Sequence, residues 1–197
     1  MNTLVVYTEK EINAAFEIAR NKRLPVLVDF WSEGCKGCKK MNEITYQNDK
    51  VLNYLEKNFV FVKYNTKNRQ PEFRNTYISS PHLWTPAFIV FANDGSEVRK
   101  VSGYLPPGQF INEMELGRAM AAIRKAQSPE ALKILENIYT NSDSDPLAQE
   151  ALYWAGVSAF YANRKRMEHL VPYWEKLLNQ YPESIWAERA DCLAVEV

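Results

Sequence analysis

Runs of apolar residues separated by segments of helical spacing are the feature that most constrains the fold of this chain. Val26 to Phe30 is one such run, and Phe59 to Tyr64 is another. Because both are rich in β-branched and aromatic residues, they are typical of central strands that are covered on both faces. Between them, Met41 and Ile44 lie at helical spacing, and a further helical piece begins at Val51. Strands joined by helices in this way predict parallel pairing through right-handed crossovers.

The pattern changes in the second half of the chain. Ala87 to Ala92 and Glu97 to Ser102 are predicted strands, and the turn residues between them indicate a hairpin. No strand signal remains from Ser128 onward, where helices are predicted to begin at residue 128 and to cover 146–162, 166–181 and 184–195. The sequence therefore predicts an α/β domain followed by a smaller all-helical one.

Charge and hydropathy narrow the classes of partner. The chain has 24 Lys and Arg residues and 24 Asp and Glu residues, so its formal net charge is zero and no global field attracts nucleic acid or an anionic membrane. The apolar run from Val26 to Trp31 is far shorter than the roughly 20 residues that a membrane-spanning helix needs. Met1 to Tyr7 lack the features of a signal peptide. We therefore expect a cytoplasmic protein, unless a signal peptide has been removed.

Two of the three cysteines form a C-x-x-C segment, Cys35 to Cys38, at the predicted start of a helix. A thiolate is the attacking species in disulfide exchange, so a working site must lower the pKa of one cysteine and keep a second sulfur within reach. The free N–H groups and the dipole at the first turn of a helix favour negative charge and so lower the pKa of Cys35. Cys38 is one turn further along the same predicted helix, which keeps its sulfur within reach. We predict Cys35 as the nucleophile and Cys38 as the resolving thiol, with Lys36 adding positive charge nearby.

Asp29 is the only ionisable residue in the run from Val26 to Phe30. Burial raises the pKa of a carboxyl group, so Asp29 could accept the proton of Cys38 near neutral pH when that thiol resolves a mixed disulfide. The strand by itself leaves an alternative open, in which Asp29 marks an exposed strand edge or forms a structural ion pair with Lys63.

The segment from Val28 to Lys39 resembles the V-D-F-W-A-x-W-C-G-P-C-K segment of the thioredoxin superfamily. Phe61 to Asn65 is similar to the family's next strand with its buried lysine, and Thr85 to Phe88 is similar to its cis-proline and following strand. Gly103 falls where the family has a glycine after the hairpin. The resemblance covers residues 1–124 and implies a thioredoxin fold, a central mixed sheet flanked by helices, with residues 125–197 as a second domain.

The same resemblance implies roles for particular residues and partners. It assigns Asp29 and Lys63 to the catalytic site beside the two cysteines, and it implies a cis bond before Pro86. The substrate would contact the residues that match the family's binding surface, namely Trp31, Thr85, Pro86 and Gly103. The implied partners are protein disulfides and an upstream thiol reductant, with no cofactor besides the redox-active disulfide and no metal.

The sequence also departs from the thioredoxin segment around the cysteines. Gly34 replaces the aromatic residue before the first cysteine, and Lys36 and Gly37 replace the Gly-Pro pair between the cysteines. Because Lys36 favours the thiolate, it would tend to make the disulfide more oxidising.

Residues 125–197 resemble tetratricopeptide-like repeats. Ala151 to Gly156 has the small and aromatic residues of a first repeat helix, and Tyr181 to Ser184 is similar to a turn between repeats. At most one and a half repeats are present, too few to be stable alone, so they must bury their exposed end against the first domain or another protein. We expect this extension to contribute to partner choice.

Other interpretations remain open for several residues. The cysteine pair could be half of a zinc site completed by Cys192, His82 and His169, although these are scattered singly. Cys192 lies beside Leu193 in the last predicted helix, where an inert buried thiol is expected.

His82 and Trp84 could line a substrate groove or only pack on the domain. For the whole chain, the alternative to an enzyme is a non-catalytic adaptor or redox sensor that uses its helices for protein binding.

Overall fold

The computed structural model describes residues 4–68, 70–78, 84–141 and 146–192. The chain forms two compact units, Met1–Gly117 and Arg118–Val197. The boundary between them lies within the helix that closes the first unit, whereas the domain boundary predicted at residue 124 coincides with the end of that helix. Within the described residues, no helix is both long enough and apolar enough to cross a membrane.

The first unit alternates strands and helices along the chain. Its elements are β1 (Val6–Thr8), α1 (Ile12–Lys22), β2 (Val26–Trp31), α2 (Lys36–Glu43), α3 (Asp49–Asn58), β3 (Val60–Asn65), α4 (Pro71–Tyr77), β4 (Ala87–Phe91), β5 (Glu97–Ser102) and α5 (Pro107–Arg124). A short 3-10 turn, Thr45–Gln47, lies between α2 and α3.

The strands form one five-stranded sheet in the order β1-β3-β2-β4-β5. β3 pairs with β1 and β2 in parallel, whereas β4 pairs with β2 and β5 in antiparallel orientation. The predicted central strands, the parallel pairing and the hairpin are therefore confirmed. Parallel neighbours bring the same ends of β2 and β3 together, and this register places Asp29 directly beside Lys63.

Alternation along β2 decides which side of the sheet each side chain faces. Val28 and Phe30 belong to a core cluster with residues of α1 and α4. Leu27 belongs to a second cluster, which contains Met41 of α2 and residues of α3 and α5. Because Asp29 is two residues after Leu27, its side chain faces the side of the sheet that α2 covers. The strand is central, as predicted, and Asp29 is not at an exposed edge.

The second unit is helical, with α6 (Ser128–Asn141), α7 (Pro146–Ala162), α8 (Val171–Gln180) and α9 (Ile185–Ala190). Its aromatic core joins α7 to α8, because the ring of Tyr153 stacks on Trp174 at 4.9 Å and the Trp174 Nε1–H donates to the Tyr153 carbonyl oxygen at 3.1 Å. A Cβ on Gly156 would lie 2.7 Å from Trp174 Cδ1, so only glycine permits this approach. The all-helical extension is confirmed, and its likeness to tetratricopeptide repeats stays a prediction.

The last helices are shorter than predicted, and this corrects the expectation for Cys192. A 3-10 turn over Met167–His169 precedes α8, and α9 ends at Ala190. Cys192 therefore lies in a turn beyond the helix and is exposed, so the prediction of a buried thiol is wrong. Helical spacing assigned it to an apolar face, but the helix does not extend that far.

Candidate active site

The two cysteines of the C-x-x-C segment lie at the start of α2, after the end of β2. They form a disulfide with Cα atoms 5.3 Å apart. Cys35 is the N-cap of α2, and its Sγ accepts a hydrogen bond from the backbone N–H of Cys38 at 3.1 Å. Cys38 is buried, with 5% of its surface exposed, whereas Cys35 is half-buried. A molecule arriving from solvent therefore meets Cys35 first.

The turn before Cys35 is tied to the loop before β4. Gly34 has a φ of +77°, in the left-handed region that side chains with a Cβ rarely adopt, which accounts for a glycine here. Ser32 Oγ and Thr85 Oγ1 share a hydrogen bond of 2.8 Å, and the peptide bond between Thr85 and Pro86 is cis. Pro86 lies beside the first turn of α2 and lines the same groove.

An open groove of about 490 Å³ runs across Cys35. The first turn of α2 lines it together with Trp84, Thr85, Pro86, Gly103 and Tyr104. Gly103 donates its backbone N–H to the Pro86 carbonyl oxygen at 2.8 Å, so the end of β5 is tied to the cis-proline loop. The structure thus brings together three of the residues that the resemblance assigned to substrate binding, Thr85, Pro86 and Gly103.

Trp84 borders the groove across Cys35, whereas Trp31 does not. The Trp84 side chain is 81% exposed and borders the groove, while His82 lies outside the described residues. Trp31 lines a separate hollow together with Asn42 and Lys63. Its assignment to substrate binding stays a prediction that the groove does not support.

Gly37 permits the close approach of the proline loop. A Cβ at this position would lie 2.8 Å from Pro86 Cδ, so Gly37→Ala must push the proline ring or the helix turn aside. We expect a loss of about 1–3 kcal/mol in the free energy of unfolding, measured by urea denaturation. Gly108→Ala is the matched control, because a Cβ there meets no atom within 4 Å. An equal loss in both variants would contradict a specific role of the Gly37–Pro86 contact.

Asp29 is buried on the α2 side of the sheet, with 2% of its surface exposed. Its Oδ2 accepts a hydrogen bond from the Tyr46 hydroxyl at 2.8 Å, and its Oδ1 has no partner among the described residues. Burial raises the pKa of Asp29 to about 6, although the charge of Lys63, the hydrogen bond from Tyr46 and the polar contact with the Lys63 ammonium group all act to lower it. The buried residues of α2 are Cys38 and Met41, so Cys38 and Asp29 lie on the same side of the sheet.

Lys63 links this buried carboxyl group to the surface. Its Nζ is 3.7 Å from Asp29 Oδ2, and it donates a hydrogen bond of 2.5 Å to Asn42 Oδ1. The ammonium group also lies 4.8 Å from the centre of the Tyr46 ring. The predicted neighbourhood of Asp29 and Lys63 is therefore present, but the ammonium forms its hydrogen bond with an amide.

Asn42 and Tyr46 were not predicted as site residues. Asn42 follows Cys38 by four residues on the same helix, so helical spacing could have drawn attention to it. Tyr46 lies in the turn after α2, where no local pattern indicates that its hydroxyl reaches Asp29.

The described residues hold no group of three or more His, Cys, Asp or Glu side chains placed to bind a metal ion. Of the residues in the zinc alternative, His169 pairs with Glu168 at 3.4 Å, and His82 is outside the described part of the chain.

The thioredoxin-like domain family matches residues 12–118 of the 197 in this chain. The chain belongs to this family. It is 22% identical over 99 residues to the thiol:disulfide interchange protein DsbD of Campylobacter jejuni, a match that covers 50% of this chain and 17% of that relative. The chain therefore spans less than a fifth of the length of this DsbD protein.

Solved structures show similar folds. The oxidised C-terminal domain of Neisseria meningitidis DsbD is 22% identical, with a TM-score of 0.47 over 57% of this chain and 99% of that one. A thioredoxin from Thermus thermophilus is 26% identical, with a TM-score of 0.47 over 57% of this chain and 85% of that one. This chain therefore has a thioredoxin-like domain over residues 12–118, with two cysteines of its own at C-x-x-C spacing.

Proposed function

We propose that this protein is a thiol-disulfide oxidoreductase that acts on protein disulfides through Cys35 and Cys38. The observation that carries the proposal is the unequal placement of the two sulfurs. Cys35 is half-buried in an open groove at a helix N-terminus, and Cys38 is buried one turn further along α2. We therefore assign the attack on the substrate to Cys35 and the intramolecular second step to Cys38.

The reaction follows from this arrangement. In the reduced protein, the Cys35 thiolate attacks one sulfur of the substrate disulfide, forms a mixed disulfide and releases the other substrate sulfur as a thiolate. Cys38 then loses its proton to Asp29 and attacks Cys35 Sγ, which releases the second substrate thiolate and forms the Cys35–Cys38 disulfide. Two electrons pass from the protein to the substrate, and an external thiol reductant restores the dithiol. No further cofactor enters this cycle.

Positive charge near the groove supports the first step. Lys36 lines the groove, and Lys40 Nζ lies 4.2 Å from the centre of the Tyr104 ring at its edge. Glu33, the acidic residue of the same wall, is paired with Lys67. The helix N-terminus and the N–H of Cys38 stabilise negative charge on Cys35 Sγ in the same way.

The helical second unit is proposed to contribute to partner choice. Tyr161, Met167 and Ile185 expose about half or more of their side chains, at 54%, 50% and 57%. A contiguous group of such side chains would form a surface that binds other proteins, and this contiguity is part of the proposal. A weaker preference among protein substrates in a protein that lacks the second unit, compared with the full-length protein, would support this role.

An insulin-reduction assay with dithiothreitol as the reductant tests the proposal. We expect the wild-type protein to accelerate reduction, and we expect the Cys35→Ser/Cys38→Ser double variant to show only the rate of dithiothreitol alone. Cys192→Ser is the matched control, because Cys192 is the exposed cysteine outside the C-x-x-C pair, and it should keep full activity.

A wild-type rate equal to that of the double variant would reject the oxidoreductase function. If the Cys35–Cys38 disulfide still formed and opened reversibly in that case, a redox sensor or adaptor would be the better description.

A further inference from the structure

Lys63 has two acceptors within reach, and its hydrogen bond goes to the one that carries no charge. Its Nζ lies 2.5 Å from the amide oxygen of Asn42 and 3.7 Å from Oδ2 of Asp29. The longer distance permits electrostatic attraction but no hydrogen bond. Asp29 is therefore left with one hydrogen bond, from Tyr46, and with an unpartnered Oδ1 in its buried site among the described residues.

This arrangement is unusual for a buried carboxylate, which is normally paired or fully hydrogen-bonded. The charged and titratable groups near Asp29 come from β3, from α2 and from the turn after α2. β3 contributes Lys63, the turn after α2 contributes Tyr46, and α2 contributes Cys38 as a thiol in the reduced protein. β4 contributes the apolar Phe88 opposite Asp29. Lys63 is thus the one cation among these groups.

We propose that Asn42 is a positioning residue that holds the Lys63 ammonium group away from Asp29 and so keeps Asp29 able to accept the proton of Cys38. Asn42 lies on α2 four residues after Cys38, so the same helix carries the resolving thiol and the residue that tunes its base. This inference rests on the proposed oxidoreductase function and adds the device that sets the working pH of its second step.

The physical argument concerns the basicity of Asp29. A carboxylate in a full ion pair with an ammonium group is a weak base, because the pair stabilises its charged form. A carboxylate with no nearby cation would stay protonated near neutral pH when buried. The hydrogen bond to Asn42 leaves Lys63 in an intermediate position. Its ammonium group is close enough to attract the Asp29 carboxylate but too far away to donate a hydrogen bond to it. Burial raises the pKa of Asp29 and the charge of Lys63 lowers it, so the position of the ammonium group affects how far the pKa is raised.

Two substitutions of Asn42 should move the titration of Asp29 in opposite directions. Asn42→Ala removes the competing acceptor, so Lys63 closes on Asp29 and the midpoint of the Asp29 titration should fall by about one pH unit. Asn42→Asp holds the ammonium more strongly and adds a second negative charge, so the midpoint should rise by a similar amount. Asn42 is exposed, so neither change disturbs the core.

The measurement is the ¹³C chemical shift of the Asp29 carboxyl carbon, followed by NMR between pH 3 and pH 9 in the oxidised full-length protein. Glu43→Ala is the matched control, because Glu43 neighbours Asn42 on α2 and pairs with Lys39 instead, and it should leave the midpoint unchanged. A Lys63→Met background provides the coupling test, since the effect of Asn42→Ala should vanish without the ammonium group.

The proposal is overturned if Asn42→Ala leaves the midpoint unchanged or raises it, or if it shifts the midpoint equally in the Lys63→Met background. A general structural disturbance would not produce opposite shifts for alanine and aspartate. The titration uses protein that is not turning over, so its failure leaves the insulin assay valid, and failure of that assay leaves the titration interpretable. In the working enzyme, the pH midpoint for resolution of the mixed disulfide should move in the same directions.

Discussion

Replacing Cys35 by serine is expected to abolish disulfide turnover completely, whereas replacing Cys38 by serine is expected to stop the reaction at a mixed disulfide. The reason is the difference in exposure: Cys35 lines the groove, and Cys38 is 5% exposed. Cys38→Ser keeps the backbone N–H that donates to Cys35 Sγ, so the attacking thiolate keeps its stabilisation. The Cys38→Ser variant can therefore attack a substrate disulfide but cannot resolve the mixed disulfide.

Mass spectrometry under non-reducing conditions measures this outcome. After incubation with a peptide disulfide, the Cys38→Ser variant should gain the mass of one peptide thiol, and the Cys35→Ser variant should gain none. Both variants require a Cys192→Ser background, because the exposed thiol of Cys192 would form adducts of its own. An adduct of equal yield on Cys35→Ser would show that Cys38 is reached directly, and the assigned roles would then be wrong.

Replacing Asp29 by asparagine is expected to stabilise the oxidised protein by up to about 3 kcal/mol at pH 7 to 8. The pKa of Asp29 is raised from 3.8 to about 6 by burial, and each pKa unit corresponds to about 1.36 kcal/mol. Between pH 3.8 and pH 6 the native state binds more protons than the unfolded state, so the free energy of unfolding falls as the pH rises through this window. Above pH 6 the buried carboxylate is ionised, and its burial lowers the free energy of unfolding by the full amount.

Urea denaturation at several pH values measures the effect. The gain from Asp29→Asn should be largest above pH 6 and should disappear below pH 3.8, where the carboxyl group is neutral in both states. The same variant should slow resolution of the mixed disulfide more than the initial attack, because it removes the proton acceptor. A stability gain that did not change with pH would remove the titration of Asp29 as its cause.

Glu9 provides a contrasting control for that experiment. It is also buried, with 6% of its surface exposed, and it accepts hydrogen bonds from Asn65 N–H and Asn68 Nδ2. Burial acts to raise the pKa of Glu9, but these hydrogen bonds outweigh it and lower the pKa. Glu9→Gln should therefore destabilise the protein at pH 7, the opposite sign from Asp29→Asn.

Patterns that depend on neighbouring residues in the chain were predicted well. The runs at β2 and β3 predicted central strands, and the hairpin of β4 and β5 followed from turn residues between two short strands. The position of Cys35 at the start of α2 followed from the turn that precedes it. Helix ends were predicted less well, since α9 stops at Ala190 and leaves Cys192 exposed. The cytoplasmic location and the tetratricopeptide likeness stay predictions.

The sequence by itself determined the order of strands and helices, the spacing of the two cysteines and the presence of one acidic residue in a central strand. These depend on side-chain periodicity and backbone preferences, which act over a few residues. Only the tertiary structure decided that Tyr46 bonds to Asp29, that Lys63 donates to Asn42, and that Trp31 lines a different hollow from Cys35. The physical reason is that the partner of a long side chain such as Lys63 depends on how β2, β3 and α2 pack together. No pattern of neighbouring residues in the sequence indicates this partner.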